Sequence, residues 1–413
     1  MAIDMSNTAD DGHESLLASP LELPCGLVLK NRLIKSAMSD SLGNGAGQPT
    51  QEQIELYRRW AAGGTALSLI GEVQIDHRCP EKPGNLVLGP QSDDSLLRQL
   101  ADAGSEHGAR IWPQLGHAGA LAHAPISDPA GPSALDLDGL RCRAMSVAEI
   151  EALPDAYARA AQHAAAVGFS GVQIHAGHGF LLSQFLSPLF NQRLDQYGGS
   201  IEARSRLLVD VVRAIRAAVA PSFAVGMKIN SADQLDGGLD EGAALTAIEI
   251  LGAQGLDLFD ISGGTYFPGA PASSDRRSSG PYFLEFAQRA RAATGVPVMV
   301  TGGFKQGVEV ESALRSGAAD AVGLARAMVV DPDAPSRWLR SPHDDPAFPT
   351  FTAPPVGGVT AWYTMRLTAI GEQRDATFDL SLEDAVAEYE QRDIERSERW
   401  TQAFELPRPE PRY

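Results

Sequence analysis

At 413 residues with 44% hydrophobic content, the chain can bury a large core and reads as globular, not disordered. Its 34 basic against 52 acidic residues give a net charge of −18, a field that repels phosphate backbones and anionic lipid, so neither nucleic acid nor a membrane surface is expected as a partner. The polar start MAIDMSNTADDGHES lacks the basic and apolar regions of a signal peptide, and no later run approaches the ~20 apolar residues of a membrane span. Cys25, Cys79 and Cys142 are too scattered to form a disulfide framework or an iron–sulfur or zinc ligand set. The expectation is a cytoplasmic protein in a reducing compartment.

In chain order, an N-terminal segment (1–19) precedes eight short apolar, β-branched runs: VLKNRLIKSAM, TALSLIGEVQI, ARIWPQL, GVQIHA, FAVGMKIN, DLFDIS, VPVMVTGG and ADAVGLA. Helix signals lie between them. Ser146 and Glu149 make a capping box, and Leu207, Leu208, Val211, Val212 and Ile215 after Ser200 line one face at 3.6-residue spacing. Eight evenly repeated β-then-α units favour a closed (β/α)8 TIM barrel over about 20–340. A doubly wound sheet would want G-x-G-x-x-G between its first strand and helix, and the glycines of KSAMSDSLGNGAG fall too far from any helix start to match. Residues 341–413 form a C-terminal extension: a Pro-rich connector, an aromatic patch (AWYTMRL) and a charged helix around DLSLEDAVAEYEQRDIERSERW. A helix so charged is expected to be a solvated face, packing on the barrel or on a second subunit of a homo-oligomer.

In such a barrel the active site is built at the C-terminal ends of the strands. The polar residues that close the runs are Ala37-Met38-Ser39 after the first, Gly71-Glu72 at the end of the second and Gln114 on the third. His175 and His178 follow on the fourth, Lys228 on the fifth, Gly302-Gly303 after the seventh and Ala325-Arg326 after the eighth. The glycine pair and the arginine stand where this fold most often binds phosphate, which favours a phosphorylated cofactor. The histidine pair admits three readings: a metal pair, which lacks an obvious third ligand; a structural pair capping strand ends; or hydrogen-bond donors to a substrate oxygen where negative charge develops.

The segment HAGHGFLLSQFLSPLFNQRLDQYGGSIEARSR, with LKNRLIKSAM, GGTALSLIGEVQ, QLGHAG and VPVMVTGGF in the same order, resembles the old yellow enzyme family of FMN-dependent NAD(P)H oxidoreductases over roughly 20–335. The resemblance implies a barrel holding non-covalent FMN across its mouth, with hydride passing from NADH or NADPH through flavin N5 to the β-carbon of an activated alkene. It implies that Ala37, Met38 and Ser39 lie beside the flavin ring, that the strand bearing Glu72 approaches it through backbone, and that Gln114 bonds the pyrimidine edge. Lys228, where relatives usually have arginine, would stand near N1 and O2. A cation about 4 Å from the reduced anionic flavin contributes at most ~4 kcal/mol at an effective dielectric of about 20. Gly302, Gly303, Ala325 and Arg326 fall on the phosphate positions, and His175 and His178 on the pair that grips a carbonyl or nitro oxygen.

Phe180 departs from the pattern. Relatives usually have a tyrosine that donates the proton to the α-carbon, and phenylalanine has none to give. Water, a second hydroxyl such as Tyr266 or Tyr363, or a reaction needing no such proton are the alternatives. No metal is expected. The rival readings are a flavoprotein NAD(P)H oxidase or reductase with another acceptor and a metal-dependent barrel hydrolase. Relatives with a four-cysteine cluster and a second nucleotide-binding region are set aside, because three cysteines cannot hold the cluster and only about 70 residues follow the barrel.

Overall fold

The computed structural model describes residues 15–137, 139–270 and 280–406. Most of the expected N-terminal segment, 1–14, lies outside the described residues. Eight parallel strands close into a barrel: β1 (Leu33–Lys35), β2 (Leu67–Gln74), β3 (Arg110–Gly116), β4 (Gly171–Ala176), β5 (Ala224–Asn230), β6 (Leu258–Ser262), β7 (Val298–Thr301) and β8 (Ala321–Leu324). Each pairs with its sequence neighbours, and β8 pairs with β1 through Val322↔Leu33 and Leu324↔Lys35, which closes the sheet. Helices α1 (Gln51–Ala62), α2 (Asp94–Gly104), α3 (Val147–Ala166), the short α4 (Leu181–Leu186), α5 (Ile201–Ala218), α6 (Glu241–Gly252), α7 (Leu284–Ala293) and α8 (Gly307–Arg315) follow β1 to β7. The capping box at Ser146 and Glu149 forms as the sequence predicts. Leu207, Leu208, Val211, Val212 and Ile215 of α5 are all buried.

Two strand boundaries differ from the reading of the sequence. The first apolar run splits: Val28–Leu29 pairs antiparallel with Leu21–Glu22 outside the barrel, and β1 keeps only three residues, so 36–39 extend beyond its end. The second run does not stop at Gly71-Glu72. It continues to Gln74 through an irregularity between Ile70 and Val73, where Glu72 takes φ 56°. The cause is a close approach, since a Cβ on Gly71 would strike the Met38 carbonyl. The bulge turns the Glu72 side chain toward the barrel mouth.

The N-terminal end of the barrel is apolar and plugged. Trp112 fills it beside Ile34, Leu67, Leu69, Leu258 and Met299, with Leu21, Leu23 and Leu29 beneath, and its indole N–H donates to Ser170 Oγ at 3.0 Å. A Cβ on Gly171 would come within 2.7 Å of that indole, which explains the glycine that opens β4.

After β8 come α9 (Arg326–Val330), α10 (Ala334–Arg340), α11 (Gly358–Gly371) and α12 (Leu382–Ala403). The aromatic patch is helical, on α11. Helix α12 is largely exposed, as its charge leads one to expect, and it packs on its own barrel along one side. Its Ala385, Asp393 and Trp400 are buried, because the helix lies across the loop after β2 of its own barrel. There Trp400 Nε1 donates to the His77 carbonyl at 3.1 Å, Lys82 pairs with Asp393 at 3.2 Å, and Phe404 stacks on His77. Among the described residues no helix is long and apolar enough to cross a membrane.

Candidate active site

A cavity of ≈ 1500 Å³ opens at the C-terminal ends of the strands. Of the rim residues singled out from the sequence, all but Gly71 line it: Ala37, Met38 and Ser39 beyond β1, Glu72 on β2, Gln114 on β3, His175 on β4 with His178 and Phe180 just past it. Lys228 on β5, Gly302 and Gly303 past β7, and Ala325 and Arg326 past β8 complete the ring. The volume exceeds the ~300–1,000 Å³ of a pocket for one small molecule, which leaves room for a cofactor and a substrate together.

The His175 and His178 rings meet edge to face with centroids 5.3 Å apart. The Gly177 N–H donates to His175 Nδ1 at 3.3 Å, which leaves the proton on Nε2, and that atom lies 3.2 Å from Glu72 Oε1. Burial pushes the Glu72 carboxyl up to about 8, partly offset by the Lys228 ammonium. Burial, and then Lys228, push the His175 imidazole down to about 3. At neutral pH the contact therefore joins a neutral acid to a neutral imidazole donor. His178 sits at φ 59°, held by donation of its N–H to Asn230 Oδ1 at 2.9 Å, and its Nε2 meets Ser262 Oγ at 2.9 Å. Burial, Lys228 and His175 together hold the His178 imidazole well below its usual range, so it too is neutral. Both Nε2 atoms are thus engaged by protein partners, which a substrate oxygen would have to share or displace. Among the described residues no three of His, Cys, Asp and Glu converge as metal ligands.

Phe180 packs against His175 at 4.9 Å, and Tyr266 stands 5.8 Å from both His178 and Phe180. Tyr266 is 65% exposed and its ring faces into the cavity. Tyr363 of α11 also lines it, under the Arg326 guanidinium. Across the mouth α12 contributes Val386, Tyr389, Glu390, Asp393, Ile394 and Ser397. Sequence reasoning missed this roof, because those residues are scattered through a charged run with no strand-end signal.

It also missed a buried polar belt just below the rim. Gln114 Nε2 donates to Gln173 Oε1 at 2.6 Å, and Gln173 Nε2 to Asp260 Oδ2 at 3.2 Å. Lys228 Nζ pairs with the same oxygen at 3.2 Å. Thr301 Oγ1 donates to Asp260 Oδ1 at 2.7 Å and meets Ser36 Oγ at 2.8 Å. Six strands or their ends are linked in this way, and strand register sets the level, since His175, Lys228 and Asp260 are direct cross-strand partners. A signal existed: Gln173, Asp260, Thr301 and Ser36 are polar residues set inside apolar runs. Asp260 also corrects the expectation for Lys228. Its charge is largely compensated within the barrel, so its pull on an anionic ring falls well below the isolated-charge figure.

The far end of the cavity is cationic and built from backbone. Gly302 and Gly303 take φ 132° and 89°, and a Cβ on Gly303 would strike the Gly280 carbonyl. Among the described residues Arg326 and Lys305 have no ion-pair partner, and both line this end. Two cations without an ion-pair partner among the described residues, set beside glycine backbone, fit a phosphate, so the residues present fit FMN. Lys305 was overlooked, although it directly follows GGF.

A closed (β/α)8 barrel with histidines, a buried lysine and a phosphate-type end gathered on one rim defines a flavin-dependent oxidoreductase site. Residues 17–341 match the family model described as the NADH:flavin oxidoreductase / NADH oxidase family. The chain is 33% identical over 396 residues to the NADH-dependent flavin oxidoreductase iliE of Hypocrea jecorina (strain QM6a), covering 88% of this chain and 98% of that protein. Among solved structures, 2-naphthoyl-CoA reductase in complex with 2-naphthoyl-CoA superposes with a TM-score of 0.74 at 26% identity over 79% of this chain, although the match spans only 52% of that longer chain. Morphinone reductase superposes with a TM-score of 0.70 at 25% identity, covering 81% of this chain and 92% of that one. The chain belongs to the NADH:flavin oxidoreductase family, the family of the old yellow enzymes, which uses FMN with a nicotinamide nucleotide as hydride donor.

Proposed function

We propose that the protein reduces an activated alkene, an α,β-unsaturated carbonyl or nitro compound, in a ping-pong sequence where nucleotide and substrate occupy the same cavity in turn. FMN, held by the residues of this cavity, would supply the hydride chemistry that links NADH or NADPH to the substrate's β-carbon. The observation that carries this reading is the neutral His175–His178 pair beside Ala37, Met38 and Ser39 in one cavity. An Nε2–H in a desolvated site can stabilise an oxygen that gains negative charge as the β-carbon is reduced. Ala37, Met38 and Ser39 would lie along the ring, the Gln114 Oε1 oxygen would accept from the pyrimidine edge while its amide N–H is held by Gln173, and Gly302, Gly303, Ala325 and Arg326 would hold the phosphate.

The test is the visible spectrum of the purified protein under anaerobic conditions, before and after NADH or NADPH, then after a cyclic enone. A flavin band that bleaches with nucleotide and returns with the enone is expected. A second reading, a reductase or oxidase acting on another acceptor, is favoured by Phe180, and a band that stays bleached with every enone would select it.

Arg326→Ala is expected to weaken FMN retention roughly tenfold to a hundredfold, the ~1.5–3 kcal/mol of a charge-assisted hydrogen bond. Fluorescence titration of flavin-stripped protein with FMN reads this directly. Riboflavin, which lacks the phosphate, should bind both forms alike.

A further inference from the structure

Phe180 leaves the α-carbon without the proton donor that alkene reduction needs, and the cavity holds another acid. We infer that Glu81, on the loop after β2, is the catalytic acid that protonates the substrate's α-carbon, an assignment that rests on the alkene-reduction reading. Glu81, Phe180 and Tyr266 line the main cavity together, and the same three line a side recess of ≈ 380 Å³ that adjoins it. The Glu81 carboxyl is anchored at one oxygen only. Its Oε2 accepts from Ser39 Oγ at 3.3 Å and from Asn85 Nδ2 at 3.4 Å, and Asn85 Oδ1 in turn accepts the Glu81 and Lys82 N–H groups. Oε1 has no hydrogen-bond partner among the described residues. Ser39, the hydroxyl donor to Oε2, lies in the segment beyond β1 that lines the same cavity, so the Glu81 carboxyl is tied to the stretch expected beside the flavin ring.

Burial above all keeps a proton on this group. The titratable and charged neighbours are Glu72 from β2, Lys82 from the same loop, His123 and Arg141 from the segment between β3 and α3 that lines the side recess, Tyr389 and Asp393 from α12, and Tyr266 from the loop after β6; burial holds the His123 imidazole neutral. Lys82 is turned to Asp393 at 3.2 Å and to the Tyr389 ring at 5.5 Å, and Arg141 pairs with Asp136 at 2.8 Å. Burial first, and the Glu72 carboxyl second, push Glu81 up to about 7. The acid form therefore predominates below about 7 and is lost as pH rises through that value. In the step itself the hydride bonds to the β-carbon, the π pair of the alkene moves toward the activating group, and the resulting α-carbanion takes the proton from Glu81. The O–H pair stays on the carboxylate, which is reprotonated from solvent through the open mouth.

Stopped-flow measurement on the holoenzyme tests this through the ratio of enone-driven reoxidation to NADH-driven bleaching, because only reoxidation needs a carbon acid. In Glu81→Gln that ratio is expected to fall about 10²-fold, at the low end of general acid assistance, and to lose the decline with pH seen in wild type. Infrared titration of the same holoenzyme should show, beside the Glu72 band that persists to about pH 8, a second protonated carboxyl band that disappears near pH 7 and is missing from the variant. Glu81→Asp keeps an acid, so should the glutamine variant lose flavin, a retained pH dependence in Glu81→Asp supports the assignment and a flat profile overturns it. An unchanged ratio in Glu81→Gln overturns Glu81 and leaves alkene reduction standing, and a loss found instead in Tyr266→Phe would name the tyrosine as the donor. A wild-type flavin that bleaches and is reoxidised by no enone overturns alkene reduction and the role of Glu81 with it.

Discussion

Replacing Asp260 with alanine is expected to destabilise the protein by roughly 3–5 kcal/mol, the cost of stranding a buried charge by removing its partner. Asp260 is wholly buried, and its carboxylate takes Lys228, Gln173 and Thr301 at 3.2, 3.2 and 2.7 Å. Without it the Lys228 ammonium, itself buried, has no counter-charge, and the Gln173 amide and Thr301 hydroxyl each lose their acceptor. Denaturant unfolding of matched samples measures the loss. Lys228→Met added to Asp260→Ala should restore more than half of it, since the charge is then gone. A loss under about 1 kcal/mol for the single variant would mean that water or a rearranged belt replaces the carboxylate. Asp260→Asn separates stability from chemistry: it retains shape and part of the hydrogen bonding but unmasks the lysine charge. The bound flavin should then become easier to reduce, which an equilibrium titration against a reference dye would report.

The belt also shows how far the sequence is legible. Eight strands, their order and the rim residues were readable because a parallel strand buried on both faces is a continuous apolar run, and the rim is where such runs end. What could not be read depends on contacts between runs. The carbonyl of Met38 forces Gly71 and throws Glu72 into a left-handed conformation, and no local property of GEVQ announces it. Lys228 reads as a free cation until Asp260, its register partner one strand away, is seen to share its charge. The roof was hidden for a different reason. The inner face of α12 is mixed in character, from Tyr389 and Ile394 to Asp393 and Ser397, because it meets a cavity and a loop instead of an apolar core, so the helix as a whole is too polar to announce a lining role. Phe180 was legible only as an absence, and its consequence came from Glu81, in a loop with no signal that a pattern would flag.

The effect of Phe180→Tyr on enone turnover should depend on pH. A tyrosine hydroxyl at this position, ordinarily protonated up to about pH 10, adds a second carbon acid next to His175. At about pH 6 Glu81 is already protonated, so enone turnover should change less than about threefold. Above about 7 the Glu81 acid form declines roughly tenfold per pH unit, and the tyrosine variant should then exceed wild type by about tenfold near pH 8 and by more near pH 9. In the Glu81→Gln background the same substitution should restore turnover at every pH in this range. A uniform gain across pH would mean that the wild-type proton comes from a group that does not titrate here, water being the obvious source. No gain at any pH would mean that proton delivery is not limiting, and that hydride transfer or release of the product through the α12 roof sets the rate.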